Sequence, residues 1–128
     1  MFAKRKNVMM VISLVLLGIT TNVYSEQLGK TQVWTLLANK TVIAYNVDKG
    51  FKYRAFFNKN GVVILQKKSF RFYGTWRVDP IGRHCVRKVP ASQEICTYIE
   101  KMGAGLYRKV KGGEHTHTYR SILNGDQI

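Results

Sequence analysis

Acidic side chains are scarce in this chain. Its 128 residues include seven Asp and Glu against 21 Lys and Arg. Seven carboxylates scattered along the sequence offer no evident pair for general acid–base work. No G-x-S-x-G elbow, P-loop or H-E-x-x-H zinc helix occurs. The reading is therefore a non-enzymatic protein with no catalytic residue and no cofactor. Cysteine is equally sparse, with Cys85 and Cys96 alone. Their spacing is not C-x-x-C, and no third thiol completes a zinc set. There are no repeats, linkers or low-complexity runs to suggest more than one domain.

The chain opens with Lys4, Arg5 and Lys6, followed by an apolar run from Val8 to Ile19 broken only by Ser13 and Gly18. Val23 and Ser25 then stand three and one positions ahead of Glu26, where signal cleavage accepts small residues. The apolar run is about a dozen residues, short of the roughly 20 that a spanning helix needs. We expect a signal peptide over residues 1–25, cleavage before Glu26, and one domain over 26–128. No cysteine follows the run, so a lipoprotein anchor is excluded. The absence of a twin-arginine pair favours export of an unfolded chain. The mature protein would be periplasmic or secreted, with no integral membrane segment.

The leader holds three of the basic residues and none of the acidic ones, leaving 18 against seven, a net charge of +11. Such a field favours acidic partners. Export places both cysteines where thiols oxidise. They lie symmetrically about Pro90-Ala91 in "CVRKVPASQEIC". A hairpin turning at 90–92 would set them opposite one another, about 4.5–5.5 Å apart and within disulfide reach. Closing that loop stabilises by roughly 2–3 kcal/mol in the entropic account.

Leu28, Val33, Trp34, Leu36 and Leu37 recur at roughly helical spacing, predicting one short helix within Glu26–Asn39. Alone it would be marginal in water, so it must pack on something, such as an open barrel end. From Lys40 onward the pattern turns to strands: "TVIAYN", "FKYRAFF", "VVILQKKS", "GTWRVD", the two arms of the cysteine hairpin, "LYRKVK" and "HTHTYRSI". Asn60-Gly61 suits a type I′ hairpin, and Pro80 should mark a strand end. Closely spaced hairpins with no long crossover predict an all-β, eight-stranded, antiparallel up-and-down barrel.

The stretch "FRFYGTWRV", Phe70 to Val78, packs four aromatics and two arginines into nine residues. Alternation sorts Phe70, Phe72, Gly74, Trp76 and Val78 onto one face, and Arg71, Tyr73, Thr75, Arg77 and Asp79 onto the other. A base-stacking surface would mix aromatics and cations on one side. Their separation instead describes a wall between core and water, and nucleic acid is not the expected partner. Gly74 marks a point where the strand can bend. "YGTWRVD", the cysteine in "HCVRK" and the second cysteine in "EICTYIE" together resemble a group of small exported bacterial domains of calycin-like (lipocalin-like) barrel form. The resemblance spans Thr31 to about Asn124 and rests on Gly74, Thr75, Trp76, Val78, Cys85 and Cys96. It implies a short helix ahead of a barrel and a two-cysteine hairpin. The group has no established activity to carry over. The chain departs from true lipocalins, whose G-x-W lies on the first strand.

Two side-chain groups remain. In "EHTHT", strict alternation would put His115 and His117 on one face, about 6.5–7 Å apart along the strand. With Glu114 or His84 they could hold Zn²⁺ or Cu²⁺, but the plainer reading is half-exposed histidines beside a glycine turn, so no metal site is assigned. The basic residues make the stronger case. Lys52, Arg54, Lys67, Lys68, Arg71 and Arg77 would form one outward band if neighbouring strands follow sequence order. Arg87, Lys88, Arg108, Lys109 and Lys111 follow. The expected function is binding of an anionic envelope component or acidic protein by the band of six. The competing expectation is a carrier of a small apolar ligand inside the barrel, lined by Phe51, Tyr53 and Trp76. Eight strands enclose just enough room for side chains or one small ligand.

Overall fold

The computed structural model describes residues 25–90 and 93–128. Residues 1–24 of the expected leader and Ala91–Ser92 at the hairpin tip fall outside the described residues. The elements run β1 (Glu26–Gln27), α1 (Lys30–Leu37), β2 (Lys40–Asn46), β3 (Phe51–Phe57), β4 (Val62–Lys67) and β5 (Phe70–Val78). They continue as β6 (His84–Lys88), β7 (Ile95–Gly103), β8 (Leu106–Lys111) and β9 (Glu114–Asn124). From β2 to β9 each strand pairs antiparallel with the next, and β9 returns to β2. The result is the closed, eight-stranded up-and-down barrel that the strand pattern predicted.

Alternation sorts the side chains as expected. Trp76 is 4% exposed, while the side chain of Arg77 beside it keeps 53% of its surface in water. Val42 and Ala44 on β2, Ala55 and Phe57 on β3, and Val63 on β4 are buried from the inner face. Trp76 pairs with Val86, and Val78 with His84, so β6 continues the inner row. Cys85 and Cys96 sit directly opposite each other and are joined by a disulfide that closes the β6–β7 hairpin.

The helix is shorter than its periodicity suggested. Glu26 and Gln27 pair with Lys101 and Glu100 on β7, and the Leu28 amide donates to the Ile99 carbonyl. Helix geometry therefore starts only after Gly29, whose amide donates to the Gln32 side chain at 2.8 Å, half of a capping box. Asn39 ends it with a left-handed φ of 58°. Val33 and Leu37, one turn apart, are buried, and α1 lies across the lower end of the barrel. Trp34 stacks on Trp76 with ring centroids 5.0 Å apart. Below the lumen, Trp76, Phe57, His84 and Tyr119 form a continuous aromatic floor.

Two turn expectations are corrected by backbone geometry. In the β3–β4 turn Gly61 has φ 96° but Asn60 does not enter the left-handed region, so the turn is not type I′. Gly61 instead donates to Asn58, the pattern of a type I turn followed by a left-handed glycine. The Trp76 Nε1–H donates to the Asn58 carbonyl at 2.6 Å, which ties this turn to the floor. Gly74, expected to let the strand bend, lies within an unbroken β5. A Cβ there would collide with the backbone carbonyl of Arg87. What needs glycine is the close approach of β6.

Because that neighbour is paired backbone and cannot yield, Gly74→Ala should lower stability by about 1–3 kcal/mol, read as a lower urea midpoint. Gly103→Ala, where an added methyl meets nothing within 4 Å, should leave the midpoint nearly unchanged. Equal midpoints for the two variants would refute the close-approach account.

Candidate ligand-binding site

The barrel is filled at its lower end and hollow above. Over the floor lies a cavity of about 320 Å³, at the small end of the roughly 300–1,000 Å³ typical of small-molecule sites. Its walls are apolar and aromatic: Phe51 and Tyr53 from β3, Leu65 from β4, Phe72 from β5 and Val86 from β6, with Phe57 and Tyr119 at the bottom. Lys49, Lys67, Lys88, Lys109 and His117 also face it, with Asn46, Gln66 and Gln93. None of the seven acidic residues lines it. A larger hollow of about 580 Å³ lies outside the barrel along α1. It is an open groove that mixes Glu26 with Lys40 and Lys101, and it encloses nothing.

Backbone register accounts for each inward cation. Lys88 lies opposite Gly74, two residues beyond Val86 on the same face of β6. Lys109 lies opposite Ile99, itself fully buried, so β8 must turn this lysine inward. Lys67 closes the inner row of β4, and its ammonium sits 3.7 Å above the Phe51 ring. His117 enters because of a bulge. Lys109 pairs with His117 but Val110 pairs with His115, leaving Thr116 as the extra residue.

That bulge overturns the expected pairing of the two imidazoles. His117 faces the lumen. His115 hydrogen-bonds to Thr118 and adds its charge to the field around Glu100, which is ion-paired with Arg108 on the wall. The histidines thus lie on opposite sides of the wall. His84 is buried in the aromatic floor, away from both, and neither of its ring nitrogens has a partner. Asp79, Cys85 and Cys96 present ligand-type atoms within 4.8 Å of one another, but the two sulfurs are bonded to each other and supply no thiolate.

The electrostatics follow from burial. Lys109 is 7% exposed. Desolvation, and then the charge of Lys88, bring its ammonium down to about 8. Burial, with Lys109, Lys88 and His115 adding repulsion, depresses His117 to about 3. Burial likewise holds His84 well below the usual histidine range, with Lys109 and His117 adding repulsion. The Tyr53 and Tyr119 hydroxyls are pushed upward by desolvation and stay neutral.

The six residues of the expected outer band separate into groups. Lys52, Arg54 and Arg71 point outward and are exposed. Arg54 and Arg71 lie in one row on either side of Gln66. Lys68 is exposed in the β4–β5 turn with φ 54°. Arg77 is outward but forms a two-pronged pair with Glu94 at 2.7 and 3.0 Å. Lys67 is not part of the outer wall, because its place in the β4 register turns it to the lumen. Of the expected lumen residues, Phe51 and Tyr53 line the cavity, whereas Trp76 lies beneath it in the floor. Parity along "HCVRK" and "LYRKVK" carried the signal for Lys88 and Lys109, since each shares a face with Val86 or Tyr107. Lysine is a poor candidate for an interior position, and the signal was overlooked.

No protein-family model matches the chain, and neither a curated protein nor a solved structure matches it.

His84 and His117 are neutral in the fold but charge near 6.5 when unfolded. Their contribution to stability is complete above that value and is lost as pH falls below it, since the unfolded chain then binds more protons. Urea denaturation between about pH 7 and pH 5 should show stability falling with acid, with His84 alone contributing up to about 1.4 kcal/mol per unit. His84→Phe should flatten the profile. A wild-type profile with no slope over that interval would contradict the buried-neutral assignment.

Proposed function

We propose that this protein is an exported, calycin-like binding protein that acts without catalysis, by carrying a small ligand in the lumen of its barrel. The observation that carries this reading is the roughly 320 Å³ hollow above a sealed aromatic floor. A barrel built only for stability would fill that space with its own side chains. Export is supported by the signal-like N-terminal sequence and by the disulfide, which persists in oxidising compartments. Among the described residues no helix is long and apolar enough to cross a membrane.

An uncharged fluorescent probe such as N-phenyl-1-naphthylamine should brighten on entering the lumen. Leu65→Trp, which extends a lining side chain into the space, should weaken its binding by about tenfold or more while leaving thermal unfolding cooperative. If the wild type binds no such probe, or the filled variant binds as well as the wild type, the lumen is not a carrier site.

A second reading is favoured by a different observation. Lys52 and Arg54 on β3 and Arg71 on β5, on the two sides of β4, have no carboxylate partner among the described residues. With Lys68 nearby they form a surface suited to an anionic envelope component or an acidic protein. Co-sedimentation with phosphatidylglycerol vesicles should be strong at about 50 mM salt and fall steeply by about 200 mM. It should also drop in the Lys52→Gln/Arg54→Gln/Arg71→Gln variant. Binding that ignores both salt and these substitutions would remove this reading.

A further inference from the structure

We propose that the lumen selects a small amphipathic carboxylate, with its acid group drawn down to Lys109 and its apolar body held among Phe51, Tyr53, Leu65 and Phe72. The inference rests on the carrier reading and specifies what is carried. Lys109 is nine-tenths buried and lines the cavity. Among the described residues its ammonium has no carboxylate and no hydrogen-bond acceptor. Its recorded aromatic neighbour is the Tyr119 ring, at 6.0 Å. A buried cation without a counter-charge is costly, and folded proteins almost always pair one. Here the charged neighbour that acts on it, Lys88, repels rather than compensates, and His117 is neutral. The ammonium opens onto the lumen, so an anion entering from outside would supply the counter-charge that the described residues do not.

The surroundings narrow its chemistry. Lys88 lies above Lys109 on the same inner face and adds attraction for a negative group entering from the mouth. His117 offers its ring beside Lys109, across the β8–β9 pair. Its Nδ1 is engaged by Thr116 at 2.9 Å and its Nε2 faces Asn46 at 3.4 Å, so it is oriented by the wall. Phe51, Tyr53, Phe57, Leu65, Phe72, Val86 and Ile95 give the lumen a largely apolar wall, with Asn46, Gln66 and Gln93 as its uncharged polar members. This suits a molecule with an apolar body better than a small hydrated ion. Separate lysine ammoniums, of which Lys109 is the most buried, as opposed to a cluster of arginine forks, fit a single carboxylate better than a polyphosphate.

Isothermal titration with 2-naphthoate and with its uncharged analogue 2-naphthalenemethanol tests this directly. At about pH 7 the acid should bind roughly 10- to 100-fold tighter, the range of one charge-assisted hydrogen bond in a desolvated site. Lys109→Met should erase the difference while leaving the alcohol's affinity nearly unchanged. If that variant does not fold, the wild type alone still decides. The acid's affinity should fall about tenfold per pH unit above about 8, and the alcohol's should stay level. The groups facing Lys109 are Lys88, His117, His84, Tyr53, Tyr119 and, elsewhere on the lumen, Lys49 and Lys67, while β7 presents Thr97 and Ile99. His84 is held neutral by burial, His117 is already neutral there and the tyrosines remain protonated. Equal affinities for the two probes, or a preference that survives Lys109→Met, would overturn the inference but leave a carrier standing. Failure of both probes to bind would overturn the carrier reading itself. Loss of naphthoate binding in the Lys52→Gln/Arg54→Gln/Arg71→Gln variant would move the anion to the outer wall.

Discussion

The pairing of β9 with β2 closes the sheet, and closure is what creates an inside. An open eight-stranded sheet would expose two edges and two faces. Here every strand from β2 to β9 has a neighbour on each side, and one face of the sheet is turned inward. Closure demands that β9 follow two partners of different curvature. It does so with two bulges, one opposite Lys109/Val110 and one opposite Ile43/Ala44. Each bulge resets parity, so that His117, Tyr119 and Ile122 all serve the inner side although their spacing is not uniformly two. The position of His117, and the separation of the two histidines, are consequences of closing the ring.

The enclosed space is divided by side-chain size. Large rings crowd the lower end, where Trp76, Phe57, His84 and Tyr119 pack edge to face and α1 covers them. Gly74 belongs to the same arrangement, for it lets β6 approach β5 beside the floor. Above the floor the side chains leave the cavity between them. Phe70 and Phe72 share a face with Trp76 yet are substantially exposed, because they have run past the packed part of the barrel. A single alternating face thus supplies both a dry floor and an accessible lumen.

Charge follows the same division with one anomaly. The outer wall carries separated cations and the three ion pairs Arg77–Glu94, Arg83–Asp79 and Arg108–Glu100. Arg77–Glu94 is the most exposed of them and contributes little to stability, whereas the Asp79 carboxylate is buried. The lumen carries cations with no acid among its lining residues. Keeping Lys109 there opposes folding at neutral pH, since its ammonium has been lowered to about 8 by burial. Among the described residues no carboxylate offsets that cost, and the proposed ligand would do so.

Alternation within single strands was legible from the residues: "FRFYGTWRV" separates Trp76 from Arg77 in space as it does on paper, and the symmetry about Pro90 foretold the Cys85–Cys96 bond. So were the barrel class and the short helix, because these depend on local periodicity and on turn residues. The extent of α1 was not legible, since the pairing of Glu26–Gln27 with β7 is a contact across some 75 positions. The inward lysines were signalled only by their parity with Val86 and Tyr107, against the outward solvation preference of lysine, and the register against Ile99 and Gly74 decides in favour of parity. The chain's own order of polar and apolar residues determined that there would be a wall with two unlike faces. Only closure of that wall decided which cations it would enclose, because a strand's face acquires a direction, in or out, from the neighbours it pairs with.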